Sequence, residues 1–319
     1  MRKPPKSKSG FWHTSSLALT IVFFLSACAT SAGLRKDFGT KSGSSLEEYL
    51  NDLTRLDNVA AKILKTAQPL CKNIGRDPGV FTLTRSQFPK QLQDSARQNL
   101  GADTIPRVYV IRENGPSNAL MIGDVLLGFD DAPVDVNSRD VQTYLAAGFL
   151  RIERGGTEII KPVTATSRCA YRVHLKDSRK INAHMSGGQI SVTTAMMDFF
   201  TSDDELAYVI GHELAHGFQN HIQVAIRSGG ILGLSTRKLR GLETEADYAA
   251  LTLLAVSGYN IDAASKFWQR LNRAITQGQI TGQQMISDTR LSDIHQFSID
   301  VKSLHNNGMS LADMQKPPR

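Results

Sequence analysis

The stretch ELAYVIGHELAHGFQNH, residues 205–221, contains three of the eight histidines in a chain of 319 residues. Just before it, Ser202 is followed three positions later by Glu205, which is the spacing of a capping box at a helix N-terminus. Apolar side chains then recur at four-residue steps, at Leu206, Ile210, Leu214 and Phe218. The pattern predicts a helix over residues 203–221 with one apolar stripe facing a core.

This helix carries the H-E-x-x-H pattern of zinc enzymes at His212, Glu213 and His216. At about 100° per residue, the two histidines lie roughly 40° apart around the axis, one turn above the other, and can bind one metal ion. Glu213 is close enough to act as general base on the water that zinc activates. The alternative is a solvated helix face with incidental histidines. His221 lies about 140° round from His216 and is assigned a structural role.

A catalytic zinc site also needs a third protein ligand. The segment LRGLETEADYAALTLLAVSG, residues 239–258, predicts a second helix, on which Glu243 and Asp247 share one face. We predict that Glu243 is the third ligand of one Zn²⁺ per chain, and that Asp247 accepts a hydrogen bond from a ligand histidine. Glu245 lies about 160° from Asp247 around this helix and is excluded as a ligand.

The N-terminus has the features of an export signal. A basic segment precedes an apolar run of about 14 residues, which is shorter than a membrane-spanning helix. Leu25-Ser26-Ala27-Cys28 resembles a bacterial lipobox. That resemblance implies a signal peptide over residues 1–27, lipidation of Cys28, and an anchor in the outer membrane with the protein facing the periplasm. An ordinary signal peptide or an uncleaved anchor are the alternatives. Residues 28–45 predict a flexible tether.

The formal net charge of +7 is concentrated in this N-terminal segment. Four basic residues and no acidic residue lie among the first 27 positions, so the remainder is close to balanced. No block of like charge remains, and nothing indicates a partner that is a nucleic acid. With 41% hydrophobic residues, the chain has the composition of a globular protein with a core.

Two further cysteines, Cys71 and Cys169, remain if Cys28 carries lipid. Cysteines of exported proteins can pair in an oxidising compartment. The sequence leaves two possibilities open, a disulfide between Cys71 and Cys169 or two separately buried thiols.

The rest of the chain divides by pattern into three parts. Residues 46–100 predict a helical segment that packs on the catalytic domain, and residues 167–319 form that domain. Residues 102–166 contain short β-rich runs and a helix-like segment at 138–148. The Gly123-Asp124-Val125-Leu126 element makes this part similar to a PDZ domain, which implies peptide binding by strand addition. A small β-rich spacer is the alternative.

HELAH at 212–216 followed by ETEAD at 243–247 resembles the zinc metallopeptidase family of HtpX, the CAAX prenyl proteases and BepA. The resemblance implies an α+β fold, with a mainly helical gluzincin-type domain and a small antiparallel edge sheet. It does not cover the PDZ-like module, which we interpret as an insertion. It also implies a zinc-dependent endopeptidase that cleaves envelope proteins in quality control. The absence of an apolar run long enough to span a membrane favours the lipoprotein branch.

Asn182-Ala183 followed by GGQISVT resembles the family's edge strand. The resemblance implies that an extended substrate pairs with the backbone of Gly188, Gln189, Ile190, Ser191 and Val192. Family members also carry a His-Pro pair followed by an arginine, but SDTRLSDIHQFSID at 287–300 has no such pair and no arginine at the matching offset. His295 is the candidate for stabilising the oxyanion, and Arg290 lies nearby. The alternative function is a peptide-binding or chaperone-like lipoprotein with weak or regulated proteolysis.

Overall fold

The computed structural model describes residues 45–112, 115, 119–129, 132–133, 148–228, 235–280 and 286–311. The predicted signal peptide, Cys28 and nearly all of the tether lie outside the described residues, as does the helix-like segment up to residue 147.

Most helices begin at a serine or threonine whose hydroxyl accepts a hydrogen bond from the backbone N–H three residues on, as at Ser45, Ser202, Ser235 and Ser287. Short 3₁₀ turns lie at Gln68–Leu70, Arg85–Gln87 and Lys90–Leu92. The α-helices are α1 Leu46–Thr66, α2 Gln93–Leu100, α3 Thr194–Phe199, α4 Asp203–Phe218, α5 His221–Arg227, α6 Thr236–Ser257, α7 Ala263–Thr276 and α8 Asp288–Asn306.

Helix α4 occupies the centre of the larger core and packs against α1, α6 and α7. Its apolar stripe faces this core: Leu206, Ile210 and Leu214 have no exposed surface, and Phe218 at the end of the helix is partly buried. Gly211 faces Ala250 of α6 so closely that an added Cβ would lie 3.3 Å from the Ala250 Cα. This close approach brings the two predicted metal-binding helices side by side.

A small sheet lies against α4. Its strands are β9 Arg172–Lys176, β10 Ala183–Ser186 and β11 Gln189–Thr193, with β11 in the middle. Gly187 and Gly188 both have positive φ, as a tight hairpin turn requires, and this turn places β10 antiparallel to β11. The other edge of β11 then pairs with β9 in parallel, so the predicted antiparallel sheet is mixed.

A second sheet has its own small core of Val80, Val108, Leu126, Leu150 and Ile152 with neighbours. The strands are β2 Val80–Leu83, β3 Arg107–Ile111, β4 Val125–Phe129, β5 Ala132–Pro133, β6 Gly148–Arg154 and β7 Thr157–Val163. Their described pairs are antiparallel, in the order β2-β3-β4-β6-β7 with β5 beside β4. Strand β2 of this sheet precedes residue 102, where the predicted module begins.

A two-stranded ladder closes this sheet at its base. β1 Ile74–Asp77 pairs antiparallel with β8 Thr166–Cys169. Beside the ladder, Cys71 and Cys169 form a disulfide with their Cα atoms 5.5 Å apart. Residues 78–165 therefore leave and re-enter the larger domain at one place, and we call them the insert.

Buried ion pairs fasten the insert to α1. Arg112 donates to both carboxylate oxygens of Asp57 at 2.7 Å and to Asp77 at 2.6 Å, and Arg168 lies 3.1 Å from Asp77 on the other side. Burial raises the pKa of Asp77, but the two guanidinium groups outweigh it and hold the pKa below its ordinary value.

Among the described helices, none is long and apolar enough to cross a lipid bilayer.

Replacing Arg112 with methionine should lower the free energy of unfolding by about 3 kcal/mol or more, because it leaves buried carboxylates without their partner. Arg85→Met is the matched control, since Arg85 and Asp94 form a pair with side chains 39% and 80% exposed. The loss of unfolding free energy in Arg85→Met should stay below about 1 kcal/mol. Urea denaturation measures both, and equal losses would contradict a structural role for the Arg112 network.

Candidate metal centre

Helices α4 and α6 bring three side chains to one point. His212 Nε2 and His216 Nε2 are 3.1 Å apart. The carboxylate oxygens of Glu243 lie 3.4 Å from His212 Nε2 and 3.5 Å from His216 Nε2. One ligand atom from each residue lies within 4.8 Å of the others. Two imidazole nitrogens and one carboxylate oxygen are the protein donors of many zinc hydrolases, so these residues fit Zn²⁺.

Asp247 orients the first of these histidines. It is 1% exposed, and its Oδ1 lies 2.9 Å from His212 Nδ1. Tyr208 donates its hydroxyl to the same oxygen at 2.7 Å. Burial raises the pKa of Asp247, but Arg290 and His212 outweigh it and hold the pKa well below its ordinary value. The anion keeps a proton on His212 Nδ1 and thereby leaves Nε2 to face the centre.

Arg290, which has no predicted role, enters this site from the first turn of α8. Its Nε donates to Asp247 Oδ2 at 2.7 Å, and its Nη2 lies 3.0 Å from Glu243 Oε2. The guanidinium stacks over the Trp268 ring at 5.0 Å, and the Trp268 indole donates to the Tyr208 hydroxyl at 2.9 Å. One cation therefore holds two carboxylates in place.

His295 does not share this position. It stands five residues beyond Arg290 on α8, about 140° round the helix, and its side chain is exposed. The structure directs it away from the centre, so the prediction that His295 stabilises the oxyanion is not retained.

Glu213 lies beside the centre with a perturbed acidity. Burial, aided by the charge of Glu243, raises the pKa of Glu213 to about 7, although His212 and a hydrogen bond from the Met185 backbone act to lower it. A carboxylate with a pKa near neutral pH is suited to accept a proton and pass it on. A bound cation would lower this pKa, because positive charge favours the ionised form.

The strand predicted to pair with substrate does not lie at an edge of the sheet. Residues 189–192 lie in β11, whose backbone pairs with β10 on one side and β9 on the other, and the Gly188 carbonyl accepts from Arg172. Its hydrogen-bonding groups are therefore already used. Among the described strands, β10 and β9 are the two edges of this sheet, and β10 is the edge that packs against α4.

The free edge of β10 faces Glu213. The Thr193 N–H donates to the Asn182 carbonyl at 3.0 Å, so Asn182 pairs with β11, and the Met185 N–H three residues later points away from β11. The Met185 backbone acts on the Glu213 carboxyl and lowers its pKa. In an antiparallel ladder, alternate residues direct both backbone groups to the same side. Ala183 therefore also points its N–H and carbonyl outward, whereas His184 and Ser186 pair with β11.

The geometry defines a metallopeptidase-like centre, and comparison with known proteins agrees with it. Residues 147–238 match the model of Peptidase family M48. The mitochondrial metalloendopeptidase OMA1 of Arabidopsis thaliana is 31% identical over 111 residues, 28% of this chain and 23% of that protein. The mitochondrial OMA1 metalloendopeptidase of Homo sapiens is 28% identical over 172 residues, 41% of this chain and 32% of that protein.

The matched segment is similar to Peptidase family M48, whose members are metal-dependent and usually use zinc. The chain spans only a quarter to a third of the length of these relatives. The family match includes His212, Glu213 and His216 but ends before Glu243. Assignment to the branch of HtpX, the CAAX prenyl proteases and BepA, and the likeness to a PDZ domain, stay predictions.

Zinc affinity should depend steeply on pH. Burial lowers the pKa of His212, but hydrogen bonds and charge from Asp247 and Glu243 outweigh it and raise the pKa to about 10. The imidazole is then protonated near neutral pH, and a metal ion must displace that proton. The apparent zinc affinity should fall about tenfold per pH unit between about pH 8 and pH 6. Chelator competition at each pH measures it, and a flat profile would contradict this protonation state.

Proposed function

We propose that this protein is a zinc-dependent endopeptidase in which His212, His216 and Glu243 bind Zn²⁺ and Glu213 is the general base. The observation that carries the proposal is the convergence of these three ligand side chains beside a carboxylate whose pKa is about 7. When bound, Zn²⁺ polarises the scissile carbonyl and lowers the pKa of a water molecule. Glu213 takes the proton of the attacking water and transfers it to the leaving amine.

An extended polypeptide is the substrate that suits this site. In the proposed complex it adds a strand to β10, pairing with the outward groups of Ala183 and the Met185 carbonyl. Since the Met185 backbone is close enough to Glu213 to affect its pKa, a strand paired with β10 passes beside the general base. Backbone pairing is independent of side chains and favours unfolded or extended segments of many sequences.

For the cellular setting we propose a lipoprotein anchored through Cys28 in the bacterial outer membrane, which cleaves envelope proteins in quality control. The lipobox-like residues 25–28 support the anchor, and the Cys71–Cys169 disulfide suits an oxidising compartment. The role in quality control rests on resemblance alone. Labelling with radioactive palmitate tests the anchor, because a lipoprotein loses the label in Cys28→Ala.

Glu213→Gln should reduce cleavage of denatured casein by about 100–10,000-fold while bound zinc stays at the wild-type level, since only proton transfer is lost. Glu47→Gln, a substitution at an exposed site on α1, is the control and should cleave normally. Cleavage and metal content are measured on the same purified samples. Equal cleavage by wild type and Glu213→Gln would contradict the protease proposal and leave the peptide-binding alternative.

Ala183→Pro tests the proposed substrate strand. Proline removes the outward N–H of an edge residue without breaking the ladder to β11. We expect kcat/KM for casein to fall about tenfold, which corresponds to about 1.4 kcal/mol for one lost hydrogen bond. Ala183→Ser, which keeps the N–H, should retain wild-type cleavage, and both variants should keep their zinc. An unchanged kcat/KM in Ala183→Pro would rule out pairing at this residue.

A further inference from the structure

The predicted helix over residues 203–221 is interrupted just before its end. Helix α4 ends at Phe218, and Asn220 takes the left-handed conformation with φ 59° and ψ 32°. Asn220 is the one non-glycine residue with positive φ in the described part of the chain. Asparagine tolerates this conformation better than most residues. The turn lets the chain restart as α5 at His221 in a new direction.

This break aims His221 at the metal centre. In a continuous helix the ring would lie about 140° from His216. In the structure, His221 Nδ1 instead lies 2.9 Å from His216 Nδ1, and His221 is 2% exposed. Two ring nitrogens at this distance require one proton between them, so the contact is a hydrogen bond rather than simple packing.

The proton's position follows from the other nitrogen of each ring. His216 Nε2 faces His212 and Glu243, and it must carry a lone pair to bind a metal ion. Its proton is then on Nδ1, which donates to His221 Nδ1. The proton of neutral His221 is consequently on Nε2, which lies 3.3 Å from Glu245 Oε2. A carboxylate, an imidazole and the ligand imidazole therefore stand in one line towards the centre.

Both ligand histidines thus have their second nitrogen held, and helix α6 supplies a carboxylate for each. Asp247 contacts His212 directly, whereas Glu245 acts on His216 through His221. The exclusion of Glu245 as a ligand agrees with this geometry, because it lies on another face of α6 and contacts His221.

We propose that His221, supported by Glu245, is a positioning residue that fixes the tautomer and ring orientation of His216 and thereby strengthens metal binding. This inference rests on the proposed function for the identity of the ion, Zn²⁺. Partners of this kind commonly contribute a factor of 10 to 100 in metal affinity, by the order of magnitude known for other metal sites.

Zinc affinity of the purified full-length chain, measured by competition with a chromophoric chelator, tests the role. His221→Leu should bind zinc about 10–100-fold more weakly. His221→Gln offers an amide oxygen to the His216 Nδ1–H and should stay within about fivefold of wild type. Glu245 has a side chain 53% exposed, so Glu245→Gln should cost only about two- to fivefold. His295→Ala, at an exposed histidine, should change nothing.

The outcomes separate this inference from the proposed function. If the wild type binds zinc and cleaves casein but His221→Leu binds zinc equally well, the positioning role is wrong and the protease stands. If the wild type binds no zinc, both fail. Should His221→Leu not fold, as judged by circular dichroism, ¹H–¹⁵N correlation spectra of the zinc-loaded wild type decide. Protons on His216 Nδ1 and His221 Nε2 support the role, and the opposite tautomer of His221 overturns it.

Discussion

The site depends on one buried negative charge, that of Asp247. An isolated carboxylate in a protein interior is strongly unfavourable, so its partners must be in place before the helices can pack. These partners come from three other helices: Tyr208 and His212 from α4, Trp268 of α7 through the Tyr208 hydroxyl, and Arg290 from α8. The same contacts that stabilise the anion therefore fix the relative positions of α4, α6, α7 and α8. The contacts that set the geometry of the metal site are therefore the same contacts that hold these helices together.

Relations within a single helix were readable from the sequence. His212 and His216, or Glu243 and Asp247, are four residues apart, and helical periodicity determines their shared face without any knowledge of the rest of the fold. The capping pattern at Ser202 likewise predicted where α4 begins. The meeting of the two helices was inferred from chemistry, because each pair of side chains alone would be an incomplete metal site.

Contacts between different helices and strands could not be predicted in this way. Arg290 has no partner within its own helix, so nothing in the local pattern marked it as part of the site. The break before His221 contains neither glycine nor proline, and it depends on one asparagine in an uncommon backbone conformation. The error over residues 188–192 has a related cause. A run of alternating residues predicts a strand, but only the pairing with both neighbours shows that this strand is internal and that β9 and β10 are the edges.

Because the two ends of the insert are joined at its base, a change in the length of its loops has little effect on the stability of the larger domain. Helix α1 precedes the insert in the chain, yet it packs on α4, which follows it. The Cys71–Cys169 crosslink spans 98 residues, and closing a loop of that size lowers the entropy of the unfolded chain, which raises its free energy by roughly 4–5 kcal/mol. With both ends already joined, further residues between them add little closure entropy, since this grows only with the logarithm of loop length. The loops of the insert can thus change in length at little entropic cost, as long as Arg112 stays in place to pair with Asp57 of α1.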